Sequence, residues 1–191
     1  MSKRSSGNIL KARSPWLAAL CLSSLLFLSL AQPTDRPPRR IELSGYAQGT
    51  TWHAVYYAAD MLISKNEIDS VLLVIDSSLS IYKPYSRISA FNNSRRGIKI
   101  DDHFRKVVEK SLDTYHQTNG LFDITVLPLV EAWGFGAKNR EQPPDSATIR
   151  QLVSCIGSDR LRLKKNKLKK SRRCIRIDVN GIAQGYSVDV V

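Results

Sequence analysis

Residues 120–136, GLFDITVLPLVEAWGFG, fit no single regular element. Pro128 sits in the middle, where an uninterrupted helix would lose a hydrogen bond and clash with its preceding turn. Gly120, Gly134 and Gly136 are too many glycines for a plain buried strand. One acid, Asp123, and two aromatics, Trp133 and Phe135, complete the stretch. Glycine among aromatics gives a backbone able to approach a flat partner. Taken alone, the stretch reads as a loop packed over a core, with the aromatics as plugs.

The surroundings limit what such a loop can serve. The 191 residues suffice for one domain with a real core. The net charge of +12 is concentrated in two places. Lys3, Arg4, Lys11 and Arg13 precede the apolar run at 16–31, and nine Lys and Arg fall between Arg160 and Arg173. Elsewhere the chain is near neutral, so its basic character belongs to two segments rather than to a whole surface.

A basic start, an apolar run and small residues at Ser29 and Ala31 make 1–31 an export signal. The run is shorter than the ~20 residues that span a bilayer comfortably. An uncleaved anchor is the alternative. Leu20 precedes Cys21 and the apolar run continues past it, against lipidation there. Export implies an oxidising compartment, in which Cys155 and Cys174 remain. A disulfide between them is conceivable because both flank the basic segment; two unpaired, largely buried thiols are the reading adopted. No CxxC and no Cys/His cluster at zinc spacing occurs.

Residues 32–40 form a Pro- and charge-rich linker to a domain over 41–191. Partial alternation over 41–58 predicts two strands, with Gly45 and Gly49 at bulges or turns. Ile68, Val71, Leu72, Ile75 and Leu79 form one stripe of a helix over 61–80. Residues 80–93 are rich in Pro, Ser and Asn and read as an ordered loop. A second helix spans 101–118, capped by Asp101 or Asp102 and stopped by Asn119-Gly120, with Phe104, Val107, Val108, Leu112 and Tyr115 inward. A shorter helix covers 145–156. Two strands, RLRLKK and CIRID, are predicted within 160–178, and a last helix begins at Gly181 and runs to Val191 without a stop signal, as in a partial sequence.

Four stretches break helix and strand grammar: 45–51, 80–93, 120–136 and 177–189. Gly49-Thr50-Thr51 offers backbone N–H groups and hydroxyls to a phosphate. His53 beside it reads as a surface residue rather than a base. Gly181 and Gly185 lie four apart at a helix start, where N–H groups could face an anion or a free carbonyl a cation.

Taken in order, these stretches resemble the FAD:protein FMN transferase family, also called the ApbE family. The matching residues are Gly49-Thr50-Thr51-Trp52, then Leu79-Ser80-Ile81-Tyr82 with Ser86, Ile88, Ser89, Phe91 and Asn92. Next come Gly120 to Val126 with Pro128-Leu129-Val130 and Trp133 to Gly136, and last Ile177 to Tyr186. The resemblance implies an α+β fold, a mixed sheet with packed helices related to the T-fold. It implies transfer of the FMN half of FAD to a threonine hydroxyl of a target flavoprotein, with release of AMP and dependence on magnesium. Targets are typically subunits of membrane-bound redox complexes. It assigns flavin contact to Gln48, Tyr82, Leu121, Phe122, Asp123, Asp178 and Gln184, and a backbone oxygen for magnesium to Gly181. Two residues depart from the family pattern: Gln48 stands where Met is usual, and Gln184 where Lys or Glu is common. The family continues beyond the position of Val191, with an Asp and a Thr completing the magnesium site. The catalytic residues are therefore expected beyond Val191, and 191 residues alone are not expected to sustain transfer.

Two other readings stand beside this one. The first is a non-catalytic exported flavin-binding protein of the same fold. The second is a basic exported protein that binds nucleic acid or membrane. Confinement of charge to one predicted hairpin without interleaved aromatics argues against nucleic acid and for a solvated hairpin, one that could touch an anionic membrane surface. The expected location is the periplasm, with attachment to the inner membrane as the alternative.

Overall fold

Alternation over 41–58 is realised as an antiparallel ribbon in the computed structural model, which describes residues 36–136 and 142–191. The export signal at 1–31 lies outside the described residues, as does the start of the linker. Strand β1 (Arg39–Ala47) begins inside the segment read as linker and pairs with β2 (Thr50–Ala58) along its whole length. Gln48 and Gly49 connect them with positive φ, 53° and 78°. Positive φ at both central residues matches the right-handed twist of a tight hairpin. Gly45 is no bulge: it pairs in register with Trp52. The indole covers it so closely that a Cβ would lie 2.6 Å from Nε1.

Helix α1 (Lys65–Leu79) packs on β1 and buries Ile68, Leu72, Ile75 and Leu79. Ser64 and Glu67 form a reciprocal capping box at its start. Residues 80–93 are not a loop throughout, because α2 (Arg87–Asn93) forms within them. Ser86 starts it, accepting from the Ser89 N–H while donating to the Ser80 carbonyl. After β3 (Gly97–Lys99) comes α3 (Asp102–Gln117), capped by Asp101 and followed by left-handed Asn119 and Gly120 as predicted. Phe104, Val107 and Val108 are buried; Leu112 and Tyr115 are only partly so, and Ser111 takes the remaining inward position.

The awkward stretch after Gly120 resolves into a 3₁₀ turn, Ile124–Val126, and a short helix α4 (Leu127–Ala132) with Pro128 near its start, where proline is tolerated. Trp133 and Phe135 are exposed, so neither is a plug over the core. Helix α5 (Ser146–Val153) follows, capped by Asp145.

Strands β4 (Leu161–Lys164) and β5 (Lys167–Lys170) make a hairpin within the basic run, and β3 joins on the other side of β5, all antiparallel. The second predicted strand is therefore misplaced: β5 ends before Cys174, and residues 174–178 pair with no strand. Ile175, Ile177 and Val179 are nevertheless fully buried. Side chains satisfy this thread instead. Asn92 Nδ2 donates to the Ile177 carbonyl at 2.9 Å and its Oδ1 accepts from the Ile177 N–H at 2.8 Å. Lys170 Nζ donates to the carbonyls of Ile175 and Asn92 and lies 5.0 Å from the Phe91 ring centre. The Asp178 N–H donates to the Ile124 carbonyl. Cys155 and Cys174 are disulfide-bonded, Cα atoms 5.6 Å apart, which corrects the unpaired-thiol reading. Helix α6 (Asn180–Val190) ends the chain.

Asn92→Ala leaves two buried backbone groups of Ile177 without partners. A destabilisation of about 2–5 kcal/mol is expected in urea unfolding; a loss under about 1 kcal/mol would show that the thread does not depend on this side chain. Burial lowers the Lys170 ammonium to about 8, helped by Arg176 and Arg173. The unfolded lysine keeps its proton until about pH 10.5, so between about pH 8 and 10.5 the unfolded chain binds more protons. Stability attributable to this group therefore rises across that window, by up to about 3 kcal/mol. The difference between wild type and Lys170→Met as a function of pH isolates the effect.

Candidate active site

The hairpin turn, the C-terminal half of α1, the loop after it and the start of α6 enclose a cleft of about 770 Å³. Tyr46 to Gly49 form one side. Asp76 and Leu79 come from α1, Ser80, Tyr82 and Lys83 from the loop, and Asn180, Ala183 and Gln184 from α6. The turn is fixed in place by its own side chain: Gln48 Nε2 donates to Ser187 Oγ on α6 at 2.8 Å. That bond offsets the strain of a non-glycine residue at left-handed φ, about 1 kcal/mol or more. A second, more apolar hollow of about 390 Å³ lies across Gln48 and Gln184, lined by Trp52, Leu72 and Val188 among others.

Three residues singled out from the sequence, Gln48, Tyr82 and Gln184, meet in the main cleft. Tyr82 is 56% exposed, so its ring is available to cover a flat ligand. The others do not line the cleft. Phe122 packs against the core, and a Cβ on Gly181 would sit 3.5 Å from its ring. Asp178 lies on the same turn and accepts from the Asn180 N–H at 2.8 Å. Burial pushes the Asp178 carboxyl up, and nearby Glu131 adds to this against the Asn180 bond. Leu121 is 93% exposed.

Asp123 has a structural job. Its Oδ1 accepts from the Thr125 N–H, Thr125 Oγ1 and Ser158 Oγ, and its Oδ2 from the Ser158 N–H. Those four donors tie the 3₁₀ turn to the segment before β4. Helix α6 starts at Asn180, one residue earlier than predicted, so the Gly181 carbonyl lies within the helix and points along its axis. Among the described residues there is no group of three or more His, Cys, Asp or Glu placed to hold a metal ion. One backbone oxygen and a neighbouring carboxylate do not make a magnesium site, since that ion demands near-octahedral oxygen coordination. No chemical step can be built through it from these residues.

Sequence reasoning missed Asp76, Lys83 and Asn180 as cleft residues. Asp76 is half-buried, and its side chain makes no hydrogen bond or ion pair among the described residues; burial raises its carboxyl while Lys83 opposes that shift. Its one signal was a carboxylate directly beside Ile75 on the apolar stripe of α1. Asp76, Lys83 and the amides of Asn180 and Gln184 give the cleft acceptors, a cation and amide donors around apolar walls. Such a site suits a large flat ligand that also carries anionic and polar groups.

An α+β domain with a cleft of this kind defines a class, and the comparisons place the chain within it. The sequence model of the ApbE family matches residues 48–191, and the chain belongs to that family. It is 32% identical to the FAD:protein FMN transferase of Haemophilus influenzae over 177 residues, 86% of this chain and 51% of the relative. The corresponding Vibrio cholerae protein is also 32% identical, over 92% of this chain and 53% of its own length. Among solved structures, flavin transferase ApbE from Vibrio cholerae superposes with a TM-score of 0.75 at 30% identity, covering 81% of this chain and 52% of that one. The apo flavinyl transferase ApbE of Pseudomonas stutzeri gives 0.75 at 27% identity, over 81% and 51%. The chain thus spans about half the length of the curated relatives it matches.

Asp123→Ala removes an acceptor for four donors. A loss of about 2–4 kcal/mol in urea unfolding is expected, whereas Tyr82→Ala, on an exposed side chain, should change stability by under about 0.5 kcal/mol. Equal, small effects for both would mean that Asp123 is not a structural tie.

Proposed function

We propose that this chain is the flavin-binding N-terminal part of a FAD:protein FMN transferase. The observation that carries the reading is the meeting of Gln48, Tyr82 and Gln184 in one cleft, in a chain that belongs to the ApbE family. Tyr82 would cover the isoalloxazine, and the amides of Gln48 and Gln184 would hydrogen-bond its polar edge or the ribityl chain. Phe122 would support the start of α6 beneath the ligand, and Asp178 would fix that start through the Asn180 N–H, with a flavin or ribose donor reaching it only at the edge of the cleft. Leu121, exposed outside the cleft, would flank this wall, and Asp123 would act by holding it rather than by contact.

In the reaction, the threonine oxygen of a target flavoprotein forms a bond to the FMN phosphorus. The pyrophosphate bond to the AMP phosphate breaks, and the hydroxyl proton leaves with a base. Magnesium, when bound, would neutralise charge on the phosphoryl oxygens. Gly181 would offer it one backbone oxygen, the remaining ligands coming from the part of the relatives that this chain does not span. The acceptor would belong to a flavoprotein such as a subunit of a membrane redox complex. An exported, periplasmic location attached to the inner membrane is supported by the signal-like residues 1–31 and by the Cys155–Cys174 disulfide, which suits an oxidising compartment.

FAD titration of the purified chain tests the cleft. Tyr82→Ala and Gln184→Ala are each expected to raise Kd about three- to tenfold, the loss of one aromatic contact or hydrogen bond, with unchanged melting. Unaltered affinity in both would remove the cleft as the flavin site. In a protein extended to the relatives' length, with magnesium and a threonine-bearing acceptor, release of AMP is expected. FAD bound without AMP release would favour the non-catalytic flavin-binding reading.

A further inference from the structure

The three-stranded sheet packs one face on the core, and every side chain on its other face is basic. Leu161, Leu163, Leu168 and Ile98 point to the core. The outward side chains are Lys99 on β3, Lys167 and Lys169 on β5, and Arg162 and Lys164 on β4, all exposed. Arg162 lies opposite Lys169, and Lys164 opposite Lys167, which also faces Lys99 on its other side. Among the described residues none of the five has an ion-pair partner. The acids closest in sequence are Asp101, which caps α3, Asp102, which pairs with Arg105, and Asp159, whose backbone carbonyl accepts from Arg162.

Like charges directly opposite on a sheet destabilise it. Guarding against aggregation accounts for the charges on the edge strands β3 and β4 only, because that device places lysine on edges, whereas Lys167 and Lys169 lie on β5, the central strand. We infer that this face docks on an anionic lipid surface, which would relieve the repulsion that the sheet otherwise sustains. The face is a flat ladder carrying point charges, four of them lysine, and it has no aromatic side chain on which a base could stack. An apolar run 16–31 retained in a bilayer would keep the domain near it, since residues 32–38 reach at most ~25 Å when fully extended. The inference rests on the exported, membrane-side reading only for which membrane is met.

Full-length protein is mixed with phosphatidylcholine vesicles and with vesicles that also contain phosphatidylglycerol, at low and at high salt. Cosedimentation should be greater on the anionic vesicles, and the excess should vanish at high salt. Each neutralised face residue should weaken that excess by about fivefold, and Lys99→Ala/Arg162→Ala/Lys164→Ala/Lys167→Ala/Lys169→Ala together should abolish it. Replacing the four lysines by arginine should retain it, and melting of the alanine variant should be unchanged or higher. Should the N-terminal run bind both vesicle types to saturation, hydrogen exchange decides: slowing over 162–169 on anionic vesicles alone is expected. Equal binding by the alanine variant, no slowing, or tighter binding to a single-stranded oligonucleotide or to polyglutamate would each overturn the inference. No flavin enters the assay, so its failure leaves transfer untouched, and a failure of transfer leaves it untouched.

Discussion

Two hydrogen bonds from one side chain hold the centre of this domain. Asn92 grips the Ile177 backbone through both its N–H and its carbonyl, replacing the neighbouring strand that a buried extended segment would ordinarily need. Lys170 and the Ile124 carbonyl complete the set on either side. Because the thread is satisfied by side chains, it can cross the core between helices and deliver Asn180 at one end of the cleft, with Asp178 and Gly181 beside it on the same turn. Each contributor comes from a different element, so α2, β5 and the turn after α3 must all be in place before the start of α6 is positioned.

The opposite side of the cleft depends on a weaker device. The hairpin tip is a two-residue turn with an unfavourable residue in it, tethered by one bond from Gln48 to Ser187. Ser187 is itself anchored by donating to the Ala183 carbonyl. The cleft thus has one wall built from the core and a lighter one, joined to α6 by the Gln48–Ser187 bond and to α1 by a bond from Trp52 to Asp69. A ligand seated between them would meet a fixed α6 and a more yielding β1–β2 tip.

Much of this was legible in the sequence wherever a local signal decided the matter. Helix α3 has an acidic cap, an apolar stripe and an Asn-Gly stop, and each is where it was expected. Ile175, Ile177 and Val179 do alternate as a strand would, so the burial was legible; the partner was not, because Asn92 lies 85 residues away and is no strand. Residues 87–93 looked too polar for a helix, yet Asn92 is polar precisely where the core needs its amide, and Ser86 supplies the cap. For the site, the order of four motifs pointed to the right family, and three of the assigned residues share the cleft. Asp123 illustrates what order alone omits: its donors include Ser158, 35 residues on, and only the folded chain brings them together. Cys155 and Cys174 posed the same problem, since spacing does not reveal whether two thiols face each other.

The disulfide also has a topological meaning. It closes a loop that contains the entire β4–β5 hairpin, whose turn at Lys165-Asn166 is exposed and rich in lysine. A protease that cuts after lysine would find exposed peptide bonds there. Such a cut would open the backbone without separating the pieces, because the residues before Cys155 and those after Cys174 would remain joined through sulfur. The nicked molecule would gain only the mass of a water until reduced, and the thread leading to α6 would stay covalently attached to the segment after α5.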